Sequence, residues 1–513
     1  MPVDTLDLAA GTLADPLERV DALVPLGAPS TTEWLIDNEV AYEAIIAAIR
    51  RARRSVCISQ LAFDADCEAY SCGKPPVRLL DVLVDAWRAH ALDVRILLNA
   101  TILVDTARPL RKALADQGAS AMQVRGIHRF PQLLHAKILI VDDREAFLLG
   151  SPFVNGYWDD SSHRPDDARR PARELGGRPL HDLSVRLTGP IVDGLRVAFD
   201  ELWDEGDGAA PLPAQSPRVD WRNHATTDGC SQVRLTIPGN GSTNVHRGRT
   251  EILGAMLRGV DRARELLYVE HQYLSSRRVV HALANALERE PELEIIALVN
   301  QNPDVTAYRG WQNQRMAETG LIDHPRFGLF ALWSRASSNG RLALNQVFVH
   351  SKLIVADDRW ATFGSANIDG VSLHSYGSDF RTRLGERIFR NVRNFDANVE
   401  MHSETDDPDD SIVELRTSLW TEHLGQVPSV RPSRGWLQFW RARAAENITA
   451  LNTFPDTSES ACGTFVLPYS DAATPSGQLR ALGVKDREEL DLRFRPSWLE
   501  VHCSPNWIRN MFA

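Results

Sequence analysis

Two stretches of the chain repeat one arrangement of ionisable residues. Leu133 opens LLHAKILIVDDREAFLLGS and Val347 opens VFVHSKLIVADDRWATFGS. Each places a histidine two residues before a lysine, follows with an apolar run, reaches Asp-Asp-Arg and closes on Gly-Ser. The candidates are His135, Lys137 and Asp142 in the first copy and His350, Lys352 and Asp357 in the second, with 215 positions separating the histidines. One His-x-Lys alone reads as a partly exposed edge strand. Two copies call for a shared purpose. Imidazoles and ammonium groups brought face to face repel and lose hydration unless an anion lies between them, and a phosphate or phosphodiester supplies that charge. Lysines would neutralise phosphoryl oxygens as they gain charge. One neutral histidine could attack phosphorus, while the other, protonated, could donate to the leaving alcohol and then activate water. This chemistry needs no metal and no other cofactor.

On a β-strand, side chains alternate between faces, so His135 and Lys137 share one face, as do His350 and Lys352. Asp142 and Asp357 each lie seven positions after their histidine, an odd number, and so face the other way. The parity reads them as anchors of the turn. After the second hairpin, Gly-Ser-Ala-Asn places Ser365 and Asn367 on a small-residue turn, where both side chains can bond phosphate oxygens.

The elements that must position these residues are duplicated too. NEVAYEAIIAAIRRARRSVCIS from Asn38 reads as an amphipathic helix, a basic turn and a strand, and TEILGAMLRGVDRARELLYVE from Thr250 repeats it. LDVRILLN from Leu92 matches LEIIALVN from Leu293 as a second strand. Each half thus reads helix, strand, helix, strand and a hairpin pivoting on Asp-Asp-Arg, an α/β plan used twice. The expected organisation is a leader over 1–30, a first half over 31–205, a linker over 206–230, a second half over 231–428 and an extension over 429–513. The linker is rich in Gly, Pro and polar residues. A loop from Asn155, NGYWDDSSHRPDDARRPARELGGRP, has Asp and His residues able to bind a cation, but the preferred reading is a solvated loop. Trp436, Phe439 and Trp440 interleave with arginines at the start of the extension, where helix packing is preferred over contact with a lipid surface.

With 513 residues, two or three domains are expected, and 43% hydrophobic with 24% charged residues reads as globular. The net charge of −11 argues against a protein that coats nucleic acid. Six scattered cysteines read as free thiols; Cys67 and Cys72 lack the second pair that a metal site would need. No signal peptide or spanning segment is legible, which makes a cytoplasmic location the default, with peripheral membrane contact open to it.

Taken together, these residues resemble the phospholipase D superfamily, whose mark is His-x-Lys-x4-Asp followed by Gly-Ser-x-Asn. The likeness runs over about residues 35 to 425, including YVEHQYL from Tyr268 and LRTSLWTEHLG from Leu415. It implies two similar α/β halves packed about a pseudo-twofold axis with one active site between them. It carries over all six motif residues as catalytic, with His135 the nucleophile that becomes phosphohistidine and His350 the general acid and base. It further implies acids that orient the imidazoles, for which Asp182, 47 residues after His135, and Glu400, 50 after His350, are the candidates. The first hairpin departs from the pattern: it reads GSPFVN, so Phe153 falls where the motif asparagine belongs and Asn155 is left to take that role through a bulge.

The leading expectation is hydrolysis of the distal phosphodiester of a glycerophospholipid to phosphatidic acid and an alcohol. Phosphatidyl transfer, as in cardiolipin synthases, is the alternative, set second because those relatives usually bear N-terminal membrane segments. A nucleic-acid phosphodiesterase ranks lower on charge, and no nucleic-acid partner is expected. A non-catalytic module would have eroded one motif, and both His/Lys pairs are intact.

Overall fold

The computed structural model describes residues 30–71, 73–101, 104–129, 132–171, 177–207, 230–238, 249–304, 306–338, 341–373, 394–403, 405–453 and 463–471. The expected leader up to residue 29, linker positions 208–229, Cys72 and the end of the extension from 472 lie outside the described residues.

The chain is mixed α/β. Its first sheet holds β1 (Thr31–Ile36), β2 (Ser55–Ser59), β3 (Asp93–Asn99), β4 (Gln123–Ile127), β5 (Ile138–Val141), β6 (Glu145–Leu149) and β7 (Leu183–Thr188) in the order β1-β7-β6-β5-β2-β3-β4. The second is ten-stranded: β8 (Cys230–Ile237), β9 (Arg249–Thr250), β10 (Leu266–His271), β11 (Glu294–Leu298), β12 (Phe327–Ser338), β13 (Arg341–Gln346), β14 (Lys352–Ala356), β15 (Trp360–Gly364), β16 (Asp396–His402) and β17 (Gly463–Pro468). Its order is β9-β8-β16-β15-β14-β10-β11-β12-β13, with β17 added beside β12. Seven strands of the second sheet, from β8 to β12, therefore repeat the order of the first. In both sheets the strand beside the motif hairpin, β2 or β10, is parallel to its other neighbour and antiparallel to the hairpin. Each half holds more elements than the sequence plan: a third helix, a further parallel strand, and a closing strand and helix after the hairpin.

These strands are apolar on both faces because both faces are covered. Ile138 and Ile140 of β5, with Val185 of β7, join Leu353 and Val355 of β14 and Val399 of β16 in one buried cluster shared by the two sheets. The alternate residues, Leu139 and Val141 or Ile354 and Ala356, pack outward under helices. α1 (Asn38–Arg51) shows why: Ala41, Tyr42, Ile45, Ala48 and Ile49 form one buried stripe. α2 (Leu79–His90), α3 (Ala107–Asp116) and α4 (Ile191–Trp203) complete the first half, and α5 (Glu251–Arg262), α6 (Arg277–Arg289), α7 (Thr306–Thr319) and α8 (Asp410–Leu424) the second.

α9 (Trp436–Thr453) brings Trp440, fully buried, against Tyr268, Phe330 and Trp420. Together with β17 it builds the extension into the second half. The loop from Asn155 is not solvated throughout, because Asp159, His163 and Arg170 are buried. Cys57 and Cys67 are buried free thiols.

Candidate active site

Both Asp-Asp-Arg turns place two consecutive residues at positive φ: Asp142 and Asp143 at 56° and 55°, Asp357 and Asp358 at 53° and 56°. That is the backbone of a type I′ hairpin turn, which aspartate tolerates and β-branched residues do not. The carboxylate of Asp142 accepts from the backbone N–H groups of Arg53, Arg54 and Ser55, at 2.7–3.1 Å. Asp357 does the same for Arg264, Glu265 and Leu266, at 2.8–2.9 Å. The next aspartates pair with helix arginines, Asp143 with Arg196 and Asp358 with Arg416. Asp142 and Asp357, carried over as catalytic with the motif, instead lock each hairpin to the turn before β2 or β10, at the end of the strand remote from the histidine.

At the other end, two asparagines hold the residue before each histidine. Asn99 donates to the Leu134 carbonyl and accepts from its N–H, both at 2.8 Å. Asn300 brackets Val349 likewise, at 2.7 and 2.9 Å. These are the last residues of the matched LLN and LVN strings, so their repetition was the signal; no role had been read from it.

The imidazoles are oriented by acids from the opposite half. His135 Nδ1 lies 2.7 Å from Asp396 Oδ1, and His350 Nδ1 lies 2.8 Å from Asp182 Oδ2. The backbone crosses as well: His135 and Ala136 donate to the Phe395 carbonyl at 2.8 and 2.7 Å, and His350 donates to the His181 carbonyl at 2.8 Å. Asp182 thus serves His350, not the histidine of its own half. Glu400 does not reach His350; its carboxylate takes Arg234, Trp360 and His402. Asp396 is four residues earlier on the same strand, a displacement of about 13 Å at the usual rise. The overlooked signal is the pair HDLSV at His181 and FDANV at Phe395.

The Gly-Ser of each hairpin serves these acids. Ser365 Oγ donates to Asp396 Oδ1 at 2.7 Å, and the Ser151 hydroxyl donates to Asp182. Ser365 is therefore committed to Asp396, against its expected role on phosphate. Gly150 is required because a Cβ there would overlap the Asp182 carboxylate. Phe153 packs edge-on against Tyr42 and Phe63. Asn155 accepts from the Glu68 N–H at 2.9 Å and donates to the Asp66 carbonyl at 3.1 Å, so it shapes a loop and is not a phosphate ligand. Asn367 is buried with its Oδ1 unpartnered.

Each lysine folds back on its own histidine, Lys137 Nζ donating to the His135 carbonyl at 3.1 Å and Lys352 Nζ to that of His350. Both are fully buried. Burial lowers the Lys137 ammonium to about 8, against the pull of Asp396 and Asp182. Burial, with Lys137 adding to it, lowers Lys352 to about 7. The same burial, together with Lys137 and Lys352, lowers His135 to about 4 and His350 to about 3, although the paired acids oppose it. Lys352 acts on His135 and Lys137 on His350, so the four groups share one electrostatic environment. His271, paired in register with Lys352, is buried with both ring nitrogens unpartnered. The site thus gathers two lysines and two histidines around two carboxylates, with the His271 ring beside them unpartnered.

Sequence comparison fits this geometry. The family model described as cardiolipin synthase, phospholipase D-like domain, matches residues 256–378, and that described as phospholipase D matches 331–486. The chain belongs to the phospholipase D superfamily. The second match runs past residue 425, where the motif likeness had been taken to end, and through β17. Curated relatives include cardiolipin synthase B of Shigella flexneri, 26% identical over 55% of this chain and 59% of that protein. Phospholipase D1 of Saccharomyces cerevisiae is 22% identical over 72% of this chain and 26% of that protein. The aligned regions thus span little more than half of one relative and a quarter of the other. A solved phosphatidylserine synthase of Haemophilus influenzae shares the fold, with a TM-score of 0.50 and 13% identity over 85% of this chain and 98% of that one.

Proposed function

We propose that the chain transfers a phosphatidyl group from a glycerophospholipid to an alcohol through a phosphohistidine, at one site between its two halves. The observation that carries this is the crossed arrangement of two His–Asp pairs around two buried lysines. Because His135 Nδ1 faces Asp396, its reactive lone pair is on Nε2, and at neutral pH the imidazole is unprotonated, as a nucleophile must be. Nε2 attacks phosphorus, the P–O bond to the leaving alcohol breaks, and His350 Nε2 protonates the alkoxide. The lysines hold the non-bridging oxygens. His350 by itself is also unprotonated at neutral pH. An arriving phosphodiester anion offsets the lysine charge and restores the proton that a general acid needs. In the second step an acceptor hydroxyl gives its proton to His350 and displaces His135 from phosphorus.

Transfer takes precedence over the hydrolysis expected from the motif because cardiolipin synthase B recurs among the curated relatives, although both family models cover the His350 hairpin. Hydrolysis is the same intermediate intercepted by water, and the phospholipase D match keeps it as the second reading. Contact with a lipid surface follows from the proposed substrate and is supported by the lipid-acting relatives; among the described residues no helix is long and apolar enough to cross a membrane. The test incubates the purified chain with phosphatidylglycerol vesicles, with and without a primary alcohol. Phosphatidyl-alcohol outweighing phosphatidic acid supports transfer, and phosphatidic acid alone at high alcohol returns the reading to hydrolysis. No lipid product at all removes both. His135→Ala and His350→Ala should each lower turnover by at least about 10³-fold.

A further inference from the structure

Behind His350 lies a second cluster that the phosphate chemistry does not use. Asp37 precedes α1, His163 comes from the loop after Asn155, His181 precedes β7 and Glu422 sits on α8. His163 Nε2 is 3.4 Å from Asp37 Oδ2 and 3.2 Å from Glu422 Oε1. His181 Nδ1 is 3.1 Å from Asp37 Oδ1 and 2.9 Å from Glu422 Oε1. Asp37, His163 and His181 are buried and Glu422 nearly so. One atom from each residue falls within 4.8 Å of all the others. A tetrahedral zinc ion with bonds of about 2.0–2.2 Å holds its ligand atoms about 3.3–3.6 Å apart, a few tenths of an ångström wider than most of these separations.

Two further observations point to an ion. His181 Nδ1 and Asp37 Oδ2 are buried without a hydrogen-bond partner, although oxygens and nitrogens lie within 3.4 Å. For these two atoms, proximity without hydrogen-bond alignment fits lone pairs aimed at a common centre, while His163 Nε2 hydrogen-bonds Glu422 Oε1 at 3.2 Å. In addition, each histidine presents its other nitrogen to a further carboxylate: His163 Nδ1 to Asp159 at 3.0 Å, His181 Nε2 to Glu270 at 2.9 Å. That is the arrangement by which proteins fix the tautomer of a metal-binding imidazole. These acids have partners of their own, Arg170 for Asp159 and His423, Tyr268 and Ser351 for Glu270.

We infer that Asp37, His163, His181 and Glu422 bind a divalent transition-metal ion of the zinc class as a closed, structural site. Two neutral imidazoles and two carboxylates neutralise a dication, which suits full burial. The ion joins the start of α1 and the Asn155 loop to α8 of the second half. It also fixes His181, whose carbonyl receives the His350 N–H and whose neighbour Asp182 orients that ring. The inference does not depend on the transfer reading, and its test reads no activity. Elemental analysis of the purified full chain, after gel filtration in metal-free buffer and again after reconstitution with zinc chloride, should find about one zinc per chain. Zinc-edge X-ray absorption should show a four-coordinate N/O shell. Asp37→Asn and Glu422→Gln should each lower zinc affinity at least about tenfold, with Glu400→Gln unchanged. A reconstituted wild-type chain without zinc overturns the inference in favour of a metal-free ion network with doubly protonated histidines. A hydrated or sulfur-containing shell, or full zinc affinity in both variants, overturns it as well. The absorption measurement needs only the wild type, so it decides even where a variant does not fold.

Discussion

Asp396 and Glu400 are two acids four residues apart on one strand, and only one can turn an imidazole. Asp396 holds the proton of His135 on Nδ1, so Asp396→Asn should cut kcat by roughly 10²- to 10⁴-fold, with KM nearly unchanged, as expected for a wrong tautomer. Asp182→Asn should do the same through His350. Glu400→Gln loses its ion pairs with Arg234 and His402, so it should lower the melting temperature and leave kcat in place. Steady-state kinetics beside a thermal melt separates the two acids. The lysines give a pH signature. Their depressed values mean that charge is lost as pH rises through about 7 to 8, so kcat/KM should fall over that window as the anion loses its counter-charge. On the acid side it should fall near pH 4, where His135 gains a proton. Lys352→Arg, which stays charged, should move the alkaline limb upward even if the rate drops. A limb unmoved by that change would rule the lysine out as its source.

At the scale of elements, the hairpins show what could be read in advance. Period-two alternation put His135 beside Lys137 and Asp142 on the other face, and the structure uses Asp142 to tie the turn to the strand next door. Asp142→Ala should therefore cost about 1–3 kcal/mol of stability, seen in denaturant unfolding, while the folded fraction keeps its kcat. Alternation could not reveal that the asparagine at the end of β3, or two residues past β11, holds the residue before each histidine, because that contact lies between segments distant in the chain. Nor could it show that the serine of Gly-Ser bonds an acid some thirty residues further on. Composition misjudged the Asn155 loop: a string of Asp, Ser, His and Arg reads as solvated, yet Asp159, His163 and Arg170 satisfy one another inside the fold. The extension was legible in part. Helical spacing of Trp436 and Trp440 gave the buried face, and Trp440→Ala should cost about 3–5 kcal/mol; the strand that follows, β17, went unread.

Over the whole molecule, duplication was visible as repeated words, and the strand order that seven strands of the second sheet share with the first is its structural form. The direction of the contacts was not visible, because sequence offset within a half says nothing about which half is nearer in space. Each histidine takes its acid from the other half, and the two sheets share one apolar cluster, so neither half holds a finished His–Asp pair. Loss of activity on heating should therefore follow the first calorimetric transition of the chain, with no active species in which only one half is folded.

The same crossing has a consequence during synthesis. The His135–Asp396 contact spans 261 residues and the His350–Asp182 contact 168. Contacts of such separation form late, after local ones are in place. A growing chain that has already displayed the whole first motif still lacks the carboxylate that orients His135 until β16 has left the ribosome. On the proposed mechanism the polypeptide would stay chemically silent toward phosphodiesters until β16 has been made and has docked against the first half.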